Sequence, residues 1–168
     1  GVYGTSTEDR LGCTDSDGDG WSNPSSSWGI DLGADAFEQD ASQHADADGD
    51  GFGDAADGFE ADACPAQAGT SFQDRFGCAD DDSDGWSNDV DAFPNDPTQY
   101  LDTDNDGFGD AFDGNQPDSC PQLPGDSTEG RYGCLDGDGD GWDDESDEYP
   151  DNPLFWSDGD GDSYPDQQ

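Results

Sequence analysis

Between Asp102 and Asp113 the chain reads DTDNDGFGDAFD. Carboxylates stand at positions one, three, five, nine and twelve of this stretch: Asp102, Asp104, Asp106, Asp110 and Asp113. Gly107 is sixth and Phe108 seventh. Acidic side chains at odd positions of a curling loop point inward together, and such a cluster suits a hard cation. Ca²⁺ takes about six to eight oxygen ligands at roughly 2.3–2.6 Å. Gly107 permits the sharp turn because it has no Cβ. The carbonyl of Phe108 can then ligate while its ring points away.

The spacing is that of an EF-hand calcium loop with Asp in place of Glu at position twelve, and it recurs in phase. Asp46, Asp48, Asp50, Phe52, Asp54 and Asp57 repeat it, with Gly51 sixth. So do Asp80, Asp82, Asp84, Trp86, Asn88 and Asp91, and again Asp136, Asp138, Asp140, Trp142, Asp144 and Asp147. Two versions are imperfect. The first has Asp15, Asp17, Asp19, Trp21 and Asn23 but Ser26 at position twelve, with Asp31 or Asp35 left to close it. The last has Asp158, Asp160, Asp162, Tyr164 and Asp166, with Ser163 in the glycine position.

The elements that hold these loops cannot form an ordinary core. The 168 residues include 45 acidic against three basic side chains, a formal charge of −42, and only 28% are hydrophobic. That balance is the signature of a chain unable to fold by burial alone. Many small structures, each held by metal, are the expected alternative. The sign of the charge excludes nucleic acid and anionic membrane surfaces as partners, and the short apolar runs exclude a span. Salt adaptation would scatter acids over the surface, whereas here they are periodic. With no Met and no leader, the expectation is a processed chain or a piece of a longer one.

Five cysteines share the periodicity. Cys64 to Cys78 and Cys120 to Cys134 are both 14 apart, opened by Cys-Pro and closed by Gly-Cys. A zinc site would need His or closer Cys pairs. Disulfides are the better reading and place the protein outside the cytosol. Cys64–Cys78 with Cys120–Cys134 leaves Cys13 unpaired or intermolecular, while Cys78–Cys120 and Cys13–Cys64 remain open.

The cysteines define a repeat of 56 residues in which the acidic loops alternate at steps of 22 and 34. Three repeats follow: 1–63, 64–119 and 120–168. The first begins inside a cysteine hairpin, and the third stops before the next Cys-Pro. The first is nine residues longer, through an insertion within NPSSSWGIDLGAD (23–35) that splits its acidic loop. That insertion is expected to be a surface loop, or else a contact or glycan site around Ser25, Ser26 and Ser27; no Asn-x-Ser/Thr sequon occurs. Phe-Pro and Asp-Pro pairs in segments such as DAFPNDPTQY (91–100) favour turns over helix. The aromatics Phe37, Phe93, Tyr100, Tyr149 and Trp156 are expected to pack on Trp21, Trp86 and Trp142, with His44 in the same role. Arg10, Arg75 and Arg131 all lie three before a closing cysteine and are expected to grip carboxylates of an adjacent loop. Secondary structure should be sparse, with single helical turns at most after the acidic loops.

These DxDxDGxxD loops with interspersed Cys-Pro resemble thrombospondin type 3 calcium-binding repeats, especially the variants of secreted bacterial and archaeal surface proteins. The resemblance covers essentially the whole chain. It implies an irregular fold with little regular secondary structure: an elongated tandem array of calcium-binding loops and disulfide hairpins. It implies Ca²⁺ at about six sites or more. Dockerins share the loop but need a helix after it, and DAFDGNQPDS is a poor helix.

The expected function is therefore a calcium-stabilised extracellular or cell-surface structural protein, rod-like, acting as a filament subunit or a surface stalk or spacer. End-to-end self-association is the expected partnership. The alternative is a calcium-dependent adhesion or carbohydrate-binding module, anchored by Trp28 and Trp156, that docks glycans or cell-surface proteins. Catalysis is not expected: the carboxylates are accounted for by the loops, and no nucleophile–His–acid set or phosphate loop is present.

Overall fold

In this computed structural model, residues 4–166 are described. Regular secondary structure is almost absent from them. A 3-10 turn, Ile30–Leu32, is accompanied by the isolated bridges Ser25–Trp28, Gly53–Ala61, Gly109–Pro117 and Glu129–Trp142. The turn lies in the insertion, not after an acidic loop as expected. The reason is chemical. Asp and Ser side chains accept the backbone N–H groups that a helix or sheet would use.

The chain divides into two compact units, Gly1–Asp89 and Val90–Gln168. The boundary falls inside the second sequence repeat, between Asn88 and Asp91 of the third acidic loop. The outermost residues of the first and third repeats, 1–3 and 167–168, lie outside the described residues.

The interior of each unit is polar. Among the described residues the buried hydrophobics are Ala34, Cys78 and Cys134, whereas Leu11 and Phe112 are 83% and 87% exposed. Buried instead are serines, aspartates and two glutamines. Each has a definite task. Ser6, Ser71 and Ser127 are clamped inside the three hairpins, where each hydroxyl donates to the carbonyl of Arg10, Arg75 or Arg131. Each also accepts from the amide of Cys13, Cys78 or Cys134, at 2.9 Å in all three. The disulfides Cys64–Cys78 and Cys120–Cys134 close two of these hairpins, and Cys13 in the other is free.

Gln43 and Gln99 do similar work between segments. Gln99 accepts from Ala111 N–H at 2.9 Å and donates to the carbonyls of Ala111 and Asn115 at 3.2 and 3.1 Å. Gln43 bonds Ala55 and Phe59 in the same way. Gly109 and Gly53 must be glycine because a Cβ there would lie 2.1–2.2 Å from the glutamine side chain.

Two of the three arginines bridge hairpin to loop, Arg75 to Asp89 at 2.8 Å and Arg131 to Asp143 and Glu145. In the first repeat Pro24 occupies the position of Asp89 and Glu145. Arg10 lies instead over the ring of Trp28, 5.4 Å from its centre, and the Trp28 indole donates to Asp9 at 3.1 Å. The insertion thus supplies a cation–π contact where the carboxylate is missing. Trp28, expected as an exposed anchor, is held internally. Trp156 is stacked on Trp142 and His44 on Trp21. Phe76 and Tyr132, from the hairpins, pack on Phe52 and Phe108.

Candidate metal centres

The six acidic loops share one hydrogen-bonded frame. The position-one carboxylate accepts from the amides of positions four and six. Asp102, for example, takes Asn105 N–H at 2.7 Å and Gly107 N–H at 3.0 Å. Asp15, Asp46, Asp80 and Asp136 do the same, as does Asp158 with Gly161 and Ser163. The position-five carboxylate accepts from position seven, so the N–H groups of Trp21, Phe52, Trp86, Phe108, Trp142 and Tyr164 are all turned the same way. Position nine closes the curl. Asn23, Asp54, Asn88, Asp110, Asp144 and Asp166 each accept from position two. This geometry needs positive φ at positions four and six. Glycine adopts it freely, at φ 97° for Gly107. Ser163 is forced into it at 71° in the last loop.

One oxygen of each of the first three acids in the Asp15, Asp46, Asp80, Asp102 and Asp136 loops lies within 4.8 Å of the others. At such separations each like-charged pair costs roughly 3 kcal/mol for an effective dielectric near 20.

A further carboxylate joins these triplets, from outside the twelve-residue loop for Asp35, Asp62 and Asp118 and from position twelve for Asp147. Its amide donates to the position-eight carbonyl: Asp35 to Ser22 at 2.9 Å, Asp62 to Gly53 and Asp118 to Gly109 at 2.8 Å, and Asp147 to Asp143 at 2.9 Å. Its Oδ1 accepts from the amide two residues on: Phe37, Cys64, Cys120 and Tyr149 respectively. Asp91, in the second unit, makes the same turn with Phe93. All five are buried.

In the Asp46 and Asp102 loops this arrangement departs from the spacing. Asp57 and Asp113, expected at position twelve, are exposed; Asp62 and Asp118 approach the triplets instead. In both loops the glutamine clamp bonds residues on either side of position twelve, Ala55 and Phe59 or Ala111 and Asn115. The signal was present in the sequence. Asp62-Ala-Cys-Pro and Asp118-Ser-Cys-Pro match Asp91-Ala-Phe-Pro and Asp147-Glu-Tyr-Pro. In the first loop Asp35 arrives in spite of the insertion, because the inserted residues bulge out between Ser22 and Asp35, whose mutual hydrogen bond is retained. Asp31 lies within the 3-10 turn.

The electrostatics reflect this crowding. Burial pushes the Asp35 carboxyl up to about 6, against the Phe37 hydrogen bond, with Asp19 and Asp17 adding to the rise. Asp62 is raised by burial first and then by Asp50, Asp48 and Asp54. Asp118 is raised by burial and by Asp106, Asp104 and Asp110, and Asp147 by burial and by Asp140, Asp138 and Asp136.

Several of these buried oxygens have no hydrogen-bond donor. They are Oδ2 of Asp17, Asp35, Asp62, Asp82, Asp118, Asp138 and Asp140, and both oxygens of Asp48 and Asp104. Leaving such an atom unsatisfied costs about 1–3 kcal/mol, more when charged. The donor set is all oxygen and anionic, which fits a hard divalent cation and not a thiolate- or imidazole-seeking metal. A cation held by a triplet and the returning Asp of the same unit would supply the missing partner and cancel the repulsion. The Asp158 loop differs: Asp160 and Asp162 are exposed.

No protein-family model matches the chain, and no curated protein sequence matches it.

Proposed function

We propose that the chain is a calcium-stabilised, extracellular structural repeat protein of the thrombospondin type 3-like kind, serving as a filament subunit or surface spacer. The observation that carries this reading is the set of buried carboxylate oxygens without donors, gathered at the acidic loops of a chain whose buried hydrophobics, among the described residues, are Ala34, Cys78 and Cys134. Calcium does here what an apolar core does elsewhere. At a concentration a hundredfold above Kd, each bound ion adds about 2.7 kcal/mol to the folded state, so several sites together reach the net stability of a typical domain, about 5–15 kcal/mol. Millimolar extracellular calcium suits sites of the weak extracellular class, at about 10⁻⁴–10⁻³ M. The two disulfides accord with an oxidising compartment.

A structural role is favoured over adhesion because the two tryptophans suited to anchor a glycan are engaged internally, Trp28 by Arg10 and Asp9 and Trp156 by Trp142. The test is chelation. Removing calcium should abolish the far-UV and tryptophan signals in one transition, and electron microscopy of the native sample should show assemblies that chelator disperses. An unchanged spectrum in excess chelator would sink the proposal.

A further inference from the structure

The two disulfide hairpins are joined to the two acidic loops whose closing carboxylate comes from far along the chain. In the first unit Asp62, which faces the Asp46 loop, stands two residues before Cys64 and accepts its amide at 2.7 Å. Asp50 of the same loop accepts from Gly69, inside the disulfide ring, at 2.9 Å. Gly77, beside Cys78, comes so near Asp62 that a Cβ there would lie 2.3 Å from its Oδ1, and Ala63 donates to Phe76 across the hairpin at 2.9 Å. The second unit repeats each contact. Asp118 accepts from Cys120 at 2.7 Å, Asp106 accepts from Gly125 at 2.9 Å, and Gly133 faces Asp118.

The hairpin around Cys13 acts as a control within the molecule. It has no disulfide, yet its contacts to the Asp15 loop are those the other hairpins make on the corresponding side. Thr7 and Glu8 donate to Gly20 as Phe72 and Gln73 donate to Gly85, and as Thr128 and Glu129 donate to Gly141. That side forms without a sulfur–sulfur bond. The side that carries Asp62 or Asp118 is held by the segment entering through Cys64 or Cys120, which the disulfide fastens.

From this we infer that cation binding at the Asp46 and Asp102 loops is thermodynamically linked to the Cys64–Cys78 and Cys120–Cys134 disulfides. A filled loop keeps its disulfide closed, and reduction weakens that loop's hold on the ion. The inference rests on the cation sites proposed above. Linkage is reciprocal, so the factor by which reduction lowers affinity is the factor by which the ion disfavours reduction.

The redox step uses dithiothreitol. The reagent supplies two electrons and two protons, the cystine sulfur–sulfur bond breaks into two thiols, and the reagent closes to its cyclic disulfide. The intact protein is equilibrated in graded ratios of reduced to oxidised reagent, with calcium or with chelator. Thiols are then trapped with a maleimide and assigned to each hairpin by peptide mass. Calcium should raise the ratio needed for half-reduction at both hairpins by at least about tenfold, within the usual range of coupling. In Asp62→Asn, which keeps an acceptor for Cys64 N–H, the shift should vanish at Cys64–Cys78 and persist at Cys120–Cys134. Loss or retention of the shift at both hairpins together would overturn the inference, because either would report global unfolding. So would unmoved disulfides in wild-type protein whose calcium binding is seen by calorimetry, and that result would leave the cation sites standing. Absence of any calcium heat would overturn this inference together with the reading it rests on.

Discussion

The loops beginning at Asp46 and at Asp158 have nearly the same frame and different interiors. Gly49 and Gly51 donate to Asp46 at 2.7 and 3.0 Å, and Gly161 and Ser163 to Asp158 at 2.9 and 2.8 Å. Position seven donates to position five at 2.9 Å in one and 2.8 Å in the other. Yet both Asp48 oxygens are buried without donors beneath the returning Asp62, whereas Asp160 and Asp162 lie open. The curl is therefore a local property of Asp at positions one, three and five with residues at positions four and six that accept positive φ. In the Asp46 loop the closed cage is not local: its carboxylate, Asp62, is delivered by a distant segment next to which Gln43 clamps Ala55 and Phe59.

The largest effect is expected from removing the delivered carboxylate. Loss of an outer partner of a metal ligand costs roughly 10–100-fold in affinity. Asp62→Asn, which removes the charge facing the triplet itself, should weaken one calcium site by about a hundredfold or more by the same measure. Asp57→Asn, at the nominal position twelve, should leave the calorimetric isotherm as it was. Equal losses for the two variants would mean that the returning-Asp assignment is wrong and that simple loop spacing governs the site.

This contrast marks how far the chain can be read unaided. The triplets, the polar irregular fold and the arginine bridges at Arg75 and Arg131 follow from short-range pattern and appear in the structure, which also selects the hairpin pairing of the cysteines from those the pattern left open. Asp62 and Asp118 do not follow from loop spacing. They stand 16 residues after the first ligand of their loops, and the glutamine that clamps the chain looks like any exposed polar residue until its burial is seen. The role of Trp28 was equally hidden, because it depends on Arg10 lacking the acidic partner that its counterparts have. The three clamped serines are a similar case. They align at Ser6, Ser71 and Ser127, yet a serine in an acidic, glycine-rich turn carries no mark of burial.

The clamp itself is the next target. Gln99 makes three hydrogen bonds in a fully buried position. At about 1 kcal/mol each, Gln99→Ala should cost roughly 3 kcal/mol. Because the clamp bonds the segment leading to Asp118, the loss should appear as a lower thermal midpoint in calcium and as weaker binding at the Asp102 loop, while the Asp46 loop, with Gln43 intact, keeps its affinity. In the third repeat Phe155 stands where Gln43 and Gln99 stand, in keeping with the open Asp158 loop. Destabilisation without any change in calcium affinity would make Gln99 a packing residue and nothing more.

The smallest effect concerns the open loop alone. Ser163 holds φ 71° in a position where other loops have glycine, and a non-glycine residue in the left-handed region costs roughly 1–2 kcal/mol. Ser163→Gly removes that cost while leaving every carboxylate in place. If the frame limits ion binding at the Asp158 loop, the variant should bind calcium there about five- to thirtyfold more tightly, the equivalent of that strain. If a fourth carboxylate, and not the frame, sets the affinity of such a loop, strain relief stabilises the apo and bound loop alike, and affinity should stay put. The comparison with the Asp46 loop favours the second outcome: a well-formed curl is already present at Asp158, and Asp160 and Asp162 remain exposed. A large gain in affinity from this one substitution would show that the frame, and not the remote aspartate, separates the closed loops from the open one.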